Sequence, residues 1–170
     1  MENQNQSIKS LILLYGSILA VATILISVVK YAMGNHLERN AWESILGIAL
    51  IIGLTVYPIM QFKQGNNGLL NLSQSIKIGL GIAAVSGILS IIYFYVFANF
   101  IEPDFATDVM NAQISEAINQ NPNLSASDLE KGREVGQKFV MPMLYGGIIA
   151  VNLFLGFIIS LIAGLTMKKE

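Results

Sequence analysis

The stretch IGLGIAAVSGILSIIYFYVFANFI, from Ile78 to Ile101, contains no Asp, Glu, Lys, Arg or His. Lys77 precedes it and Glu102 follows it. A helix needs roughly 20 apolar residues to cross the hydrocarbon core of a bilayer. This run is long enough, and it is apolar nearly all round. A helix from a water-soluble bundle would keep a charged face. Backbone polar groups in lipid must be satisfied within their own segment, so the run predicts a membrane-spanning α-helix.

Three further runs repeat the pattern. Leu11 to Val29, closed by Lys30, sets a span at residues 11–30. Residues 44–62 lie between Arg39/Glu43 and Lys63, and Met141 to Met167 lies between Lys138 and Lys168. The spans are therefore 11–30, 44–62, 78–101 and 141–167, with an extramembrane helical segment at 102–140. The expected fold is all-α, an integral membrane four-helix bundle over one membrane domain, residues 1–170. A cleaved signal peptide is disfavoured, because the first run exceeds a usual h-region and Gly16, Ser17 and Ala20 lie inside it.

Composition agrees and excludes several chemistries. The chain has 170 residues, 54% hydrophobic and 12% charged, where a soluble domain carries about twice that charge. The formal net charge of −1 gives no footing for nucleic acid. With no cysteine and one histidine, His36, there is no disulfide, thiolate or multi-histidine metal site. None of the four apolar runs, the first taken as Leu11 to Val29, contains Asp, Glu, Lys, Arg or His, which argues against proton relays, ion-coupled transporters and voltage sensors. No nucleophile elbow, phosphate loop or paired in-membrane carboxylate is present, so neither enzyme activity nor a cofactor is expected.

Four spans place both termini on one side. That side carries Lys9, Lys63, Lys77, Lys168 and Lys169 in short segments beside the spans. The other carries Lys30, Arg39, Lys131, Arg133 and Lys138, diluted over longer segments. The density of positive charge predicts cytoplasmic termini. Tyr31, Trp42, Tyr93, Phe94, Tyr95, Phe97, Phe100 and Tyr145 gather toward the opposite face, where aromatic rings anchor at headgroup level.

Between spans two and three, Gly65-Asn66-Asn67-Gly68 reads as a turn, and Leu69, Leu70 and Leu72 as an interfacial lead-in. Gln-Ser-Ile-Lys occurs at 6–9 and again at 74–77, each time before an odd-numbered span. In the segment 102–140, Val109, Met110, Ile114, Ala117 and Ile118 share a helical face. Asn121-Pro122-Asn123 breaks that helix. Ser127 with Glu130 fits a capping box. Pro142 predicts a kink or a fresh helix start. The result is a small helical hairpin in the loop between spans three and four.

Asn152, Gly156, Ser160 and Gly164 lie four residues apart on the fourth span. Small residues at that spacing let another helix approach closely, and an asparagine amide can bond across the contact. The third span offers Gly79, Ala83 and Gly87 with Ser86 and Ser90; the first offers Gly16 and Ala20, the second Ala49 and Gly53. Internal packing of one bundle explains the stripe most simply, and a homodimer or partner interface is the sharper reading. Pro58 predicts a kink that frees the carbonyl of Leu54. His36, Glu38 and Glu43 read as solvated loop residues before they read as a metal site. Glu102, Asp104 and Asp108 read as first-turn acids favoured by a helix dipole, with Pro103 at the start of that helix.

The chain resembles a bacterial membrane family known as domain of unknown function 4199. The resemblance is carried by the four-span layout, by Gln61-Phe62-Lys63 to Lys77-Ile78-Gly79 with Gly68 and Ser73 in the inner loop, and by the exit Phe100-Ile101-Glu102-Pro103-Asp104-Phe105. It implies the bacterial inner membrane, with Lys63, Gly68, Glu102, Pro103 and Asp104 as motif positions, and supplies no activity or ligand. The functional expectation is a non-enzymatic accessory or scaffolding subunit. Its partners would be the lipid bilayer and a second copy or another membrane protein. The alternative is a small transporter or channel for a neutral or apolar solute, with a cavity near Pro58 and Asn152.

Overall fold

The computed structural model describes residues 7–38 and 40–169. Arg39, which enters the charge argument, lies outside the described residues, as does Gln6 of the first Gln-Ser-Ile-Lys. The chain is all-α. Helix α1 is Ile8–Ala32, α2 is Ala41–Gly65, and α3 is Leu72–Val96, continued by a π-helical turn at Phe97–Ile101. A short helix α4, Phe105–Gln120, precedes α5, Ala126–Met167. Four of these are long and apolar enough to cross a membrane: 25, 25, 30 (α3 with its π turn) and 42 residues.

Local chemistry sets the ends. Ser7 Oγ accepts the Ser10 N–H at 3.1 Å and caps α1. At α3, Asn71 Oδ1 accepts the Gln74 N–H at 2.9 Å while Gln74 Oε1 accepts the Asn71 N–H at 3.0 Å. This reciprocal cap starts the helix at Leu72, ahead of the charge-free run at Ile78. The two Gln-Ser-Ile-Lys tetrapeptides therefore do different work, since Ser7 caps a helix and Ser75 lies inside one. The cap of α5 is Ser125 with Asp128 instead of Ser127 with Glu130. Ser125 Oγ accepts the Asp128 N–H at 3.2 Å and donates to Asp128 Oδ2 at 2.7 Å. Pro142 does not restart the helix, because α5 is continuous through it. Its missing donor leaves the carbonyl of Lys138, an exposed residue where solvent can take the place of the lost bond.

By packing, the chain divides into two compact units. One joins the residues up to Ser90 with those from Ile149 onward; the other is Ile91–Ile148. The first unit is built on Leu19 of α1, Ile59 of α2, Leu70 of the turn before α3, Ile78 and Ile82 of α3, and Ala163 of α5. Thr55, Ser75, Ser86 and Ser160 are also buried there. Leu13, Leu14, Val21, Leu25, Ile48, Ile52, Phe154 and Leu165 are exposed. Soluble monomers rarely expose apolar patches above a few hundred Å². Small hydroxyls inside and large aliphatics outside is the arrangement lipid favours, since lipid tails are no worse a neighbour for leucine than a core is. The molecule is a multi-pass membrane protein with four candidate spans.

In the second unit, α4 and the first turns of α5 form the hairpin. Met110, almost fully buried, fills the space above Gly136 with its Sδ and Cε. An aromatic cluster sits at the base of the same unit. Phe94 contacts Phe105 and Tyr145 at ring separations of 5.6 and 5.2 Å, and Phe97 contacts Phe105 at 5.5 Å, all edge-on. Edge-on contacts of this kind are each worth about 0.5–1.5 kcal/mol beyond area burial.

Candidate functional site

The stripe on α5 meets α3 in antiparallel register. Gly164 faces Leu72 and Ser75, Ser160 faces Gly79, Gly156 faces Gly79 and Ala83, and Asn152 faces Gly87. A Cβ on Gly79 would lie 2.9 Å from the Gly156 carbonyl oxygen, and one on Gly156 would lie 3.0 Å from the Gly79 carbonyl oxygen. The obstruction is backbone, which cannot swing aside. A buried hydrogen bond crosses the seam, from the Ser75 hydroxyl to the Ser160 carbonyl at 2.7 Å. The Ser160 hydroxyl turns back to the Phe157 carbonyl at 3.0 Å. The structure thus places the stripe within one chain. Gly16 of α1 packs on Val85 of α3, whereas nothing lies near a Cβ built on Gly47 or Gly53, and Ala49 is exposed.

Pro58 is fully buried within a continuous α2. Close to the end of that helix, the Lys63 carbonyl accepts the Gly68 N–H at 2.9 Å. The Lys63 ammonium donates to the Met167 carbonyl at 2.8 Å. A cation is well placed there, because the last carbonyls of α5 carry the negative end of its dipole. Gly68 has φ +79°, a left-handed conformation that side chains with a Cβ resist. Leu70 and Lys169 exchange both backbone hydrogen bonds at 2.9 Å. Lys63 and Gly68 are therefore two parts of one tie that fastens the turn after α2 to the end of α5.

Glu102, Pro103 and Asp104 make a corner. The Glu102 N–H reaches the Phe97 carbonyl at 2.9 Å and closes the π turn. Pro103 has no N–H to continue the ladder. The Asp104 carbonyl then accepts the Thr107 and Asp108 N–H groups at 2.9 and 3.0 Å, so α4 begins at Phe105 and not at Pro103. Of the acids, Asp108 lies in the first turn and Asp104 at the cap position without a side-chain cap bond. Among the described residues no group of three metal-ligating side chains comes together.

The hairpin carries an open apolar groove of ≈ 600 Å³, lined by Met110, Gln113, Lys131, Val135, Phe139 and Met143 among others. Val135, Phe139 and Met143 follow one another at four-residue spacing on α5 and are 59%, 57% and 74% exposed. Sequence reading missed this face because Met143 falls inside a span and the other two fall outside it. The periodicity that joins them was the available signal. By contrast, the cavity beside Gly87 measures ≈ 80 Å³ and is lined by Ala83, Ala84, Gly87, Ile88, Ile149 and Leu153. That is room for a few water-sized groups with almost no polar partner.

A family profile described as protein of unknown function (DUF4199) matches residues 14–169. The chain belongs to that family. No curated protein and no solved structure matches it. The DUF4199 match takes in the α3–α5 seam, the Lys63–Gly68 tie, the Glu102–Asp104 corner and the hairpin groove. The family's description assigns no activity, so the geometry alone carries the functional argument.

Proposed function

We propose that this DUF4199 chain is a non-enzymatic accessory or scaffolding subunit that engages a second membrane protein through the apolar groove of its hairpin. The observation that carries the reading is the stripe Val135, Phe139 and Met143. Lipid covers a side chain at the level of Met143. Val135 lies eight residues earlier on the same helix, about 12 Å farther along the axis, among Lys131, Arg133, Glu134 and Lys138. An apolar stripe that continues into charged, aqueous surroundings calls for a protein surface to cover it. A helix from the partner fits, since a row at four-residue spacing receives a helix in a groove.

The lysine distribution supports cytoplasmic termini in a bacterial inner membrane, with the hairpin on the opposite face. A reporter fused at the C-terminus should read as cytoplasmic. For the partner, a photo-activatable side chain at Phe139 in the full-length chain should give one discrete adduct in cells, while the same group at lipid-facing Ile48 gives none. Phe139→Asp should abolish stoichiometric co-purification in mild detergent. A strictly monomeric protein with no adduct at Phe139 overturns the proposal, and an adduct with a second copy makes the partner the chain itself.

A further inference from the structure

We propose that the pocket between the ends of α1 and α2 binds one phospholipid whose headgroup carries both a phosphate and a primary ammonium. The pocket measures ≈ 470 Å³ and belongs wholly to the first unit. One part of its lining is apolar, formed by Leu25, Ile26, Val29 and Leu46, three of them exposed toward lipid. Its mouth is polar, formed by Lys30, Asn35, Asn40 and Glu43, with Trp42 beside them. That gradient, over the last two turns of a span, matches an acyl chain leading up to a headgroup. Trp42 is largely exposed and is of the residue type that settles at the headgroup level.

Lys30, Glu43 and Asn35 offer three binding valences for one zwitterion. Lys30 Nζ pairs with Glu43 Oε2 at 2.5 Å and donates to the Glu38 carbonyl at 2.7 Å. An ammonium has three N–H donors, so one remains for a phosphate oxygen. Glu43 accepts from Lys30 and, weakly at 3.4 Å, from Asn40 Nδ2. A carboxylate has about four acceptor sites, so it retains capacity for a second cation. The Asn35 Oδ1 atom is buried without a hydrogen-bond partner among the described residues. A buried acceptor in that condition is costly until a donor arrives. With the Asn35 side chain turned into the pocket it lines, a primary ammonium donates to Asn35 and Glu43 while its phosphate meets Lys30. A trimethylated ammonium has no N–H and leaves Asn35 unsatisfied. A purely anionic headgroup faces Glu43 with no cation to offer.

The chain contains one tryptophan, Trp42, which reports on the pocket directly. The full-length protein is placed in nanodiscs of unlabelled phosphatidylcholine. Increasing fractions of lipid brominated on its acyl chains are then added, as phosphatidylethanolamine, phosphatidylcholine or phosphatidylglycerol. One gained hydrogen bond corresponds to a preference of about two- to tenfold. Brominated phosphatidylethanolamine should therefore quench Trp42 at correspondingly lower fractions than the other two. Asn35→Leu should bring its quenching curve onto that of phosphatidylcholine with no change in melting temperature. Glu43→Gln should do the same, and if that variant does not fold, Asn35→Leu decides alone. Equal quenching by all three lipids overturns the proposal, as does strongest quenching by phosphatidylglycerol or a preference that survives Asn35→Leu.

Discussion

Helix α5 belongs to both units and behaves differently in each. From Gly156 to Gly164 it meets α3 through glycines and serines, and where Gly156 crosses Gly79 a carbonyl of one helix lies where a side chain on the other would begin. From Lys131 to Met143 it presents large side chains around an open groove, with only the flexible end of Met110 lying over Gly136. The first half is a contact that cannot change without moving backbone. The second is a surface whose packing adjusts by rotating side chains. The same residue type, glycine, is obligatory in one place and replaceable in the other, and the difference lies in what stands opposite.

The sharpest way to break this contrast is Gly156→Leu, which forces a side chain into Ala83 and the Gly79 carbonyl. Overpacking against rigid neighbours costs about 1–3 kcal/mol or more, and the upper end is expected here. Thermal unfolding in detergent should show it as a large drop in midpoint. Next comes Ser75→Ala. It removes the Ser75 hydroxyl bond across the seam and should cost about 0.6 kcal/mol, the average for interhelical hydrogen bonds in a membrane, measured by steric trapping.

Gly136→Ala sets the other side of the comparison. Met110 must rotate away, but alanine gains about 0.8–1.0 kcal/mol of helix propensity over glycine, so the midpoint should barely move. A loss comparable to that of a seam glycine would show that the hairpin is as tightly built as the seam. Smallest of all, Phe139→Asp should leave stability within about 0.5 kcal/mol, as exposed substitutions do, while abolishing partner capture. A large destabilisation would mean that Phe139 belongs to the fold and not to an interface.

The spans were legible because charge is excluded from lipid whatever the tertiary structure, so Lys30, Lys63, Lys77 and Lys168 mark their ends without reference to any neighbour. Helix boundaries were less legible. The Asn71–Gln74 and Ser125–Asp128 caps sit outside the apolar runs, and a helix continues as long as its backbone is capped, not only as long as it is greasy. The α5 stripe could be read from its spacing, since side chains four residues apart share a face. Its partner could not, because α1, α2 and α3 all offered small residues, and only packing distinguishes Gly79, set against Ser160, from Gly53, with nothing near it. Of the two outcomes expected at Pro142, the fresh start did not occur, because the cost of an interior proline depends on whether its orphaned carbonyl reaches solvent. The Lys63 bond to Met167 joins residues 104 positions apart, and no local pattern announces it.

That last bond has a consequence for how the protein is made. The ammonium of Lys63 and the backbone of Leu70 find their partners at Met167 and Lys169, so this tie cannot close until the end of the fourth span has been translated, long after the loop itself. Until the fourth span has been inserted, these groups are held by water and not by the protein. An assembly factor or protease patrolling that face of the membrane would find there a direct readout of whether insertion is complete.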